Sequence, residues 1–113
     1  MNIGSVVRAV EKQGEVITLR RMTGAARVPF DAKIMAWVSI GAATLLIGGV
    51  ETTADQIITT SIHLDEARWP GEPRHGDTVI YHDGRTAEVQ GRASSINFDN
   101  GANSYTMTVL GAQ

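Results

Sequence analysis

The sequence contains no cysteine, few aromatic residues and almost no net charge. Without cysteine the chain has neither a disulfide framework nor a thiol nucleophile, and this composition fits a reducing compartment. Aromatic residues make up only 5% of the chain, which leaves little material for a surface on which nucleic-acid bases stack. The formal charge of −2 gives no global attraction for nucleic acid or an anionic membrane. Any such contact would depend on a local patch.

One long uncharged stretch, IMAWVSIGAATLLIGGV at residues 34–50, dominates a chain whose length suits a single domain, 1–113. A membrane-spanning helix needs about 20 mostly apolar residues, so this stretch is at the lower limit of length. Nearly half of its residues are Ala, Gly, Ser or Thr, which contribute little transfer energy. The basic residues before it and the acidic residues after it favour a one-span membrane protein as an alternative. Recovery of the protein in a detergent phase would support that alternative.

The first part of the stretch alternates between apolar and other residues, which predicts a β-strand over residues 30–40 with one buried face. Further β-type runs are EVITLRRM, QIITTSIH, TVIYHDGRTAEVQG and SYTMTVLG, and the third of these contains Asp83-Gly84, a pair typical of a hairpin turn. Residues 5–13 are expected to form a short helix with Ser5 as its N-cap. We therefore expect a mainly β fold: a small β-barrel or sandwich of about six strands, with a short N-terminal helix and a long loop between strands 2 and 3.

That loop, residues 41–50, is unusually apolar. In a connection between strands its large side chains would expose a contiguous patch of a size that a soluble monomer rarely tolerates. Burial in a partner subunit would contribute roughly 1.5–3 kcal/mol for each side chain before the costs of association. The sequence thus predicts self-association through a subunit interface made by Leu45, Leu46, Ile47 and Val50.

Residues of catalytic or metal-binding type are present but scattered. His63, His75 and His82 lack the close spacing of a metal site, and the acidic residues are explained as caps or turn residues. We therefore predict no enzyme activity, no cofactor and no metal. Arg20 and Arg21 form the only adjacent basic pair, which is either a solvated strand end or a contact to phosphate or an acidic partner surface.

The order of several short motifs resembles the phage head–tail joining proteins, the head-closure or stopper group of the viral neck. The strand VITLRRMTG is followed by an FD strand of small and apolar residues, and then by LIGGVETTAD. A β-rich strand, the pattern WPG-P--GD and a V---GR---V-like hairpin follow. No single motif is specific, but the joint pattern extends from Val16 to Val109.

The resemblance implies a small barrel that forms a sixfold or twelvefold homo-oligomeric ring in the neck of the virion. Its neighbours would be the portal or adaptor protein above and a tail protein below, with channel DNA as a further contact and no membrane; assembly would take place in the host cytoplasm. The loop that reaches toward the channel or a neighbouring subunit would be Gly41 to Asp55 here. Its apolar character favours subunit packing, while Arg20 and Arg21 would face an acidic neighbouring ring or the DNA. The alternative from another class is a soluble small-barrel module that binds nucleic acid or a peptide.

Overall fold

A computed structural model describes residues 3–111 and gives this part of the chain a mainly β architecture. Within that range the order of elements is α1 (Gly4–Gln13), β1 (Glu15–Thr23), β2 (Val28–Ile47), β3 (Val50–Thr60), α2 (Ser61–Glu66), β4 (Thr78–Ile80), β5 (Thr86–Val89), β6 (Ser94–Asn97), a 3₁₀ turn (Asp99–Gly101) and β7 (Asn103–Leu110). The predicted mainly β fold with a short N-terminal helix is confirmed.

All the strand pairs are antiparallel, and the sequence of pairings begins and ends at β1. β1 pairs with β2 along one edge and with β4 along the other. β2 pairs with β3, and β3 pairs with β7. β7 pairs in turn with β5, and β5 pairs with β4. Six strands thus form a closed circuit, which is the connectivity of a small barrel, and β6 adds to β7 beside β5.

Alternate residues of the circuit strands form the hydrophobic core. On β1, Ile17 and Leu19 are buried, whereas Val16, which directly precedes Ile17, is 45% exposed. This alternation is what the period-two pattern predicts. Burying an aliphatic side chain of this size contributes roughly 1.5–3 kcal/mol, so the interior is the main source of stability. The core side chains contributed by the six circuit strands include Ile17, Leu19, Ala32, Ile34, Ala36, Ile57, Val79, Val89, Met107 and Val109.

The helix α1 packs against β2 and β3, and its end depends on a glycine. A Cβ atom on Gly14 would lie 2.2 Å from the carbonyl oxygen of Val10 and 2.6 Å from that of Ala36. The close approach of the end of α1 to β2 therefore requires glycine at this position. The start of the helix differs from the prediction, because the N-cap is Ile3 without a side-chain cap and Ser5 lies inside the first turn.

Two local predictions at later turns have different outcomes. The hairpin around Asp83-Gly84 is present between β4 and β5, and Gly84 has the positive φ of 91° that such a turn needs. The third strand ends at Thr60, three residues earlier than predicted. The Thr60 hydroxyl accepts a hydrogen bond from the backbone N–H of His63, and this N-cap starts α2 there.

The predicted long loop between strands 2 and 3 is wrong. β2 continues to Ile47 and β3 begins at Val50, so only Gly48 and Gly49 form the turn. Their φ values of 57° and 83° suit a two-residue hairpin turn that needs positive φ at both positions. The physical reason is cross-strand pairing. The segment is rich in Gly and Ala, so its own sequence does not indicate a strand, but backbone hydrogen bonds to β3 hold it in one.

Candidate functional site

The end of the β2–β3 hairpin forms a two-stranded ribbon. Residues 43–47 pair with residues 50–54, and within residues 3–111 no third strand flanks either segment. The pairing of β1 with β2 ends at Ala36, and the pairing of β7 with β3 begins only at Asp55. We call residues 43–54 the arm. A hairpin with only two strands is marginally stable in water by itself, so the arm gains little support from its own chain.

The predicted interface residues lie together at the tip of the arm. Ile47 is the cross-strand partner of Val50, and these two share a face with Leu45, while Leu46 and Glu51 form a pair on the other face. Leu46 is 72% exposed, Val50 65% and Ile47 46%, whereas Leu45 is only partly exposed. An exposed cluster of large aliphatic side chains is the surface expected of an interaction site. Whether another subunit covers it stays a prediction.

The arm is attached to the barrel through Asp55. The register between β2 and β3 shifts between Ser39 and Ala43, and Gly41 in this bulge has a φ of 68°. The Asp55 carboxylate accepts hydrogen bonds from the Gly41 N–H at 2.8 Å and from the Tyr81 hydroxyl at 2.5 Å. Burial, together with the hydrogen bond to Asp55, raises the pKa of Tyr81. Tyr81 therefore remains a donor at neutral pH and links the base of the arm to the β4–β5 turn.

Arg20 lies on the surface in an ion pair with Asp31, its cross-strand partner on β2. The Nε and Nη2 atoms of Arg20 lie 2.7 and 2.9 Å from the two carboxylate oxygens. The hydrogen bond from Arg20 lowers the pKa of Asp31. Exposed pairs of this kind are screened by solvent and contribute little to stability. The surroundings match those of a solvated strand end, and a contact of Arg20 with a partner stays a prediction.

Arg21, the adjacent residue, points to the opposite side and is largely buried. Its Nε and Nη2 atoms donate to the Asp77 carboxylate at 2.9 and 2.7 Å. The same guanidinium donates to the backbone oxygens of Pro70 and Glu72 and stacks 4.7 Å from the ring centroid of Trp69. The side chain of Arg21 is 12% exposed and that of Asp77 is 5% exposed. Arg21 thus joins the irregular segment 69–77 to β1, and a contact of this residue with a partner or DNA stays a prediction.

These contacts bring together two of the patterns that carry the resemblance, TLRR and WPG-P--GD. Arg21 belongs to TLRR, Trp69 to WPG and Asp77 to GD. Trp69 is buried, and its ring lies 5.8 Å from that of Phe30. The sequence analysis treated Asp77 only as a turn residue. The aspartate is 56 positions from its arginine, so no local spacing signals their pairing.

A second apolar surface is a groove of about 300 Å³ between α1 and the outer face of the sheet. Trp37 on β2 is 37% exposed and Ile96 on β6 is 60% exposed. No pattern in the sequence predicts this groove, because its residues come from separate segments that only the fold brings together. The groove is lined by Ser5, Val6, Ala9, Val10, Trp37, Ile58, Ile96, Phe98, Ser104 and Thr106.

The histidines serve local structure or lie at the surface. His63 is buried, and its ring lies 2.7 Å from the Thr60 hydroxyl and 3.2 Å from Glu11. His75 and His82 are exposed. No group of three potential metal ligands occurs in the described part of the chain. Nor does any helix within residues 3–111 have the length and apolar character needed to cross a membrane.

Comparison with known proteins does not identify a family. No protein-family model matches the sequence, and no curated protein matches it either.

Proposed function

We propose that the protein is a structural component of a phage virion, a head-closure or stopper protein that forms a ring in the neck. The ring joins the portal or its adaptor to the tail and helps to retain packaged DNA in the capsid. The protein assembles from subunits in the host cytoplasm and acts without catalysis or a cofactor.

The observation that carries this proposal is the arm. Its tip exposes Leu46, Ile47 and Val50 on a ribbon that has no third strand among the described residues. Such a ribbon becomes stable when its apolar side chains are covered, and each covered side chain contributes roughly 1.5–3 kcal/mol before the costs of association. A ring covers the arm of every subunit with the next subunit and leaves no arm exposed.

Two further features support the proposal. The chain has the small-barrel connectivity that its resemblance to head–tail joining proteins implies. The residues that carry the resemblance include Arg21, Trp69 and Asp77, which hold the irregular segment 69–77 against β1. Because Arg21 contacts both Trp69 and Asp77, the patterns TLRR and WPG-P--GD depend on each other, which accounts for their occurrence together in one chain.

The roles of the predicted site residues follow from their positions. Leu45, Leu46, Ile47 and Val50 pack between subunits of the ring. Arg20 lies on the surface in its pair with Asp31, where it meets the acidic surface of a neighbouring ring or channel DNA. Arg21 has a mainly internal role and contributes to that surface through the segment it holds.

The variant Leu46→Asp/Ile47→Asp tests the interface. The change places two charges at the exposed tip, so the ring should be lost while the barrel still folds, with the thermal midpoint of wild-type protein diluted to single subunits. Native mass spectrometry and electron microscopy of the purified protein measure assembly, and circular dichroism measures folding. The matched control is Met22→Asp/Val28→Asp. It changes two exposed apolar residues beside the β1–β2 turn, at the end of β2 that is far from the arm.

The control variant should assemble like the wild type. Normal assembly of the Leu46→Asp/Ile47→Asp variant, in solution and in phage particles, would show that the arm is no subunit interface. Particles of the encoding phage provide the functional readout: antibodies against the protein should label the junction of head and tail. Labelling elsewhere, or none, would contradict the neck assignment.

The apolar groove favours one rival function, a small-barrel module that binds a peptide. Lined by Trp37, Ile96 and Phe98, it has the shape and chemistry of a site for apolar side chains. A peptide-binding module would stay monomeric at high concentration. Closed rings of the wild-type chain would exclude this rival as the main function.

A further inference from the structure

We infer that the apolar groove of one subunit is the docking site for the arm tip of the next subunit. The contact places the Ile47–Val50 pair against Trp37, Ile58 and Ile96 of a second copy. This inference rests on the proposed ring, and it assigns to the ring a second, distinct surface that the sequence analysis did not predict.

The size and chemistry of the two surfaces match. The groove has a volume of about 300 Å³ and a mainly aliphatic and aromatic lining. A cavity of about 150 Å³ holds one benzene-sized group, so the groove has room for two branched aliphatic side chains. Ile47 and Val50 are such a pair, because they are direct cross-strand partners and point to the same face of the arm.

The arm cannot fill the groove of its own subunit. Ile58 lines the groove and belongs to β3, the strand that begins at Val50. Val50 precedes Ile58 by eight positions. At a rise of about 3.3 Å per residue, these two positions are about 26 Å apart along β3. A continuous strand does not fold back on itself, so an arm that fills the groove must come from a second copy.

The charges at the two surfaces are of opposite sign. Glu51 is the only charged residue of the arm; it follows Val50 in the chain and lies on the opposite face of the arm from the Ile47–Val50 pair. On α1, Arg8 is one turn from Ser5 and Lys12 is one turn from Ala9, which places both cations beside the groove. Neither cation has an ion-pair partner within residues 3–111, whereas Glu11, the acidic residue of α1, pairs with His63. Docking of the Ile47–Val50 face places Glu51 at the outer edge of the contact, within reach of the long side chains of these two cations.

The two surfaces are different parts of the molecule, so the contact is head-to-tail. A contact of this type continues from subunit to subunit and closes into a ring when the rotation per subunit divides a full turn. A symmetric contact between two arms would stop at a dimer. The groove thus explains how one arm per subunit is enough to build the ring.

Disulfide trapping tests the docking, and the absence of native cysteine makes it specific. In the variant Val50→Cys/Ile96→Cys, one cysteine is at the arm tip and the other is at the wall of the groove. Within one chain, Ile96 is opposite Ser104, and Ser104 is opposite Thr60. Thr60 is ten positions from Val50, or about 33 Å along β3, so the two cysteines are too distant for a bond within one chain and oxidation should join only neighbouring subunits. The matched control, Val28→Cys/Ile96→Cys, keeps the groove cysteine and moves the other to an exposed residue at the opposite end of β2.

Oxidation of the concentrated protein, followed by electrophoresis without reductant, should give a ladder from dimer to closed ring for Val50→Cys/Ile96→Cys. The control and the two single-cysteine variants should give at most dimers. Wild-type rings combined with no ladder would overturn the docking while leaving the ring proposal intact. A ladder without wild-type rings in solution or in particles would support the docking and overturn the ring. Absence of both would overturn both.

Discussion

Both halves of the β2–β3 hairpin contain large apolar side chains, but these are buried in one half and exposed in the other. In the barrel half, Ile34 is 2% exposed and Ile57 is fully buried; in the arm, Ile47 is 46% exposed and Leu46 is 72% exposed. The difference lies in the neighbouring strands. β1 and β7 flank the barrel half, and no third strand flanks the arm in the part of the chain that the structure describes.

This comparison shows that apolar alternation predicts a strand but not what covers its apolar face. The barrel half is covered by its own chain, so its side chains determine whether the subunit folds. No third strand covers the arm within residues 3–111, and we propose that its side chains determine whether subunits associate. Substitutions in the two halves should therefore separate folding from assembly.

The largest effect on folding is expected for Ile57→Ala in the barrel half. Loss of the fully buried side chain leaves a cavity and should lower the free energy of unfolding by about 4 kcal/mol. The matched substitution Ile47→Ala in the arm should change the unfolding of the isolated subunit by less than about 1 kcal/mol and weaken assembly instead. Chemical denaturation of dilute protein measures both. Equal losses of stability would mean that the arm is part of the folded core.

A somewhat smaller effect is expected for Arg21→Met, which compares two adjacent arginines. Removal of Arg21 leaves the Asp77 carboxylate buried without its ion-pair partner and should lower the free energy of unfolding by about 3 kcal/mol. Arg20→Met, which removes only an exposed pair, should leave stability almost unchanged. Denaturation midpoints in parallel samples provide the readout. A similar loss for both variants would contradict the internal role assigned to Arg21.

The smallest effect is expected at the joint between the arm and the barrel. Tyr81→Phe removes one hydrogen bond to Asp55 and should lower the free energy of unfolding by about 1 kcal/mol. The pKa of Tyr81 is raised above its ordinary value of 10.0, so its protonated form is favoured by folding. The stability difference from the variant should thus be constant between about pH 7 and pH 9 and shrink as the pH rises above about 10. A difference that grows with pH would contradict this assignment.

Local patterns in the sequence predict the strands but not the contacts between distant segments. The alternation around Ile17 and Ile34, the turn at Gly84 and the apolar character of residues 45–50 are local, and all three correspond to features of the structure. The extension of β2 through Gly41 was missed because glycine with positive φ usually ends a strand.

Contacts that span much of the chain were also missed. The Arg21–Asp77 pair, the burial of His63 and the groove depend on how separate segments pack, and no spacing within one segment signals them. The function of the exposed arm is of this kind as well. The partner that we propose for it is another copy of the chain, so neither the sequence pattern nor the fold of one subunit displays it.

Hydrogen exchange of the arm amides, in dilute subunits and in the assembled protein, tests the central claim most directly. In dilute subunits the amides of residues 43–54 should exchange much faster than those of β1 and the barrel half of β3. On assembly the arm amides should become protected while the barrel amides change little. Arm amides that are equally exposed in both states would contradict the account, because another copy would then not cover the arm.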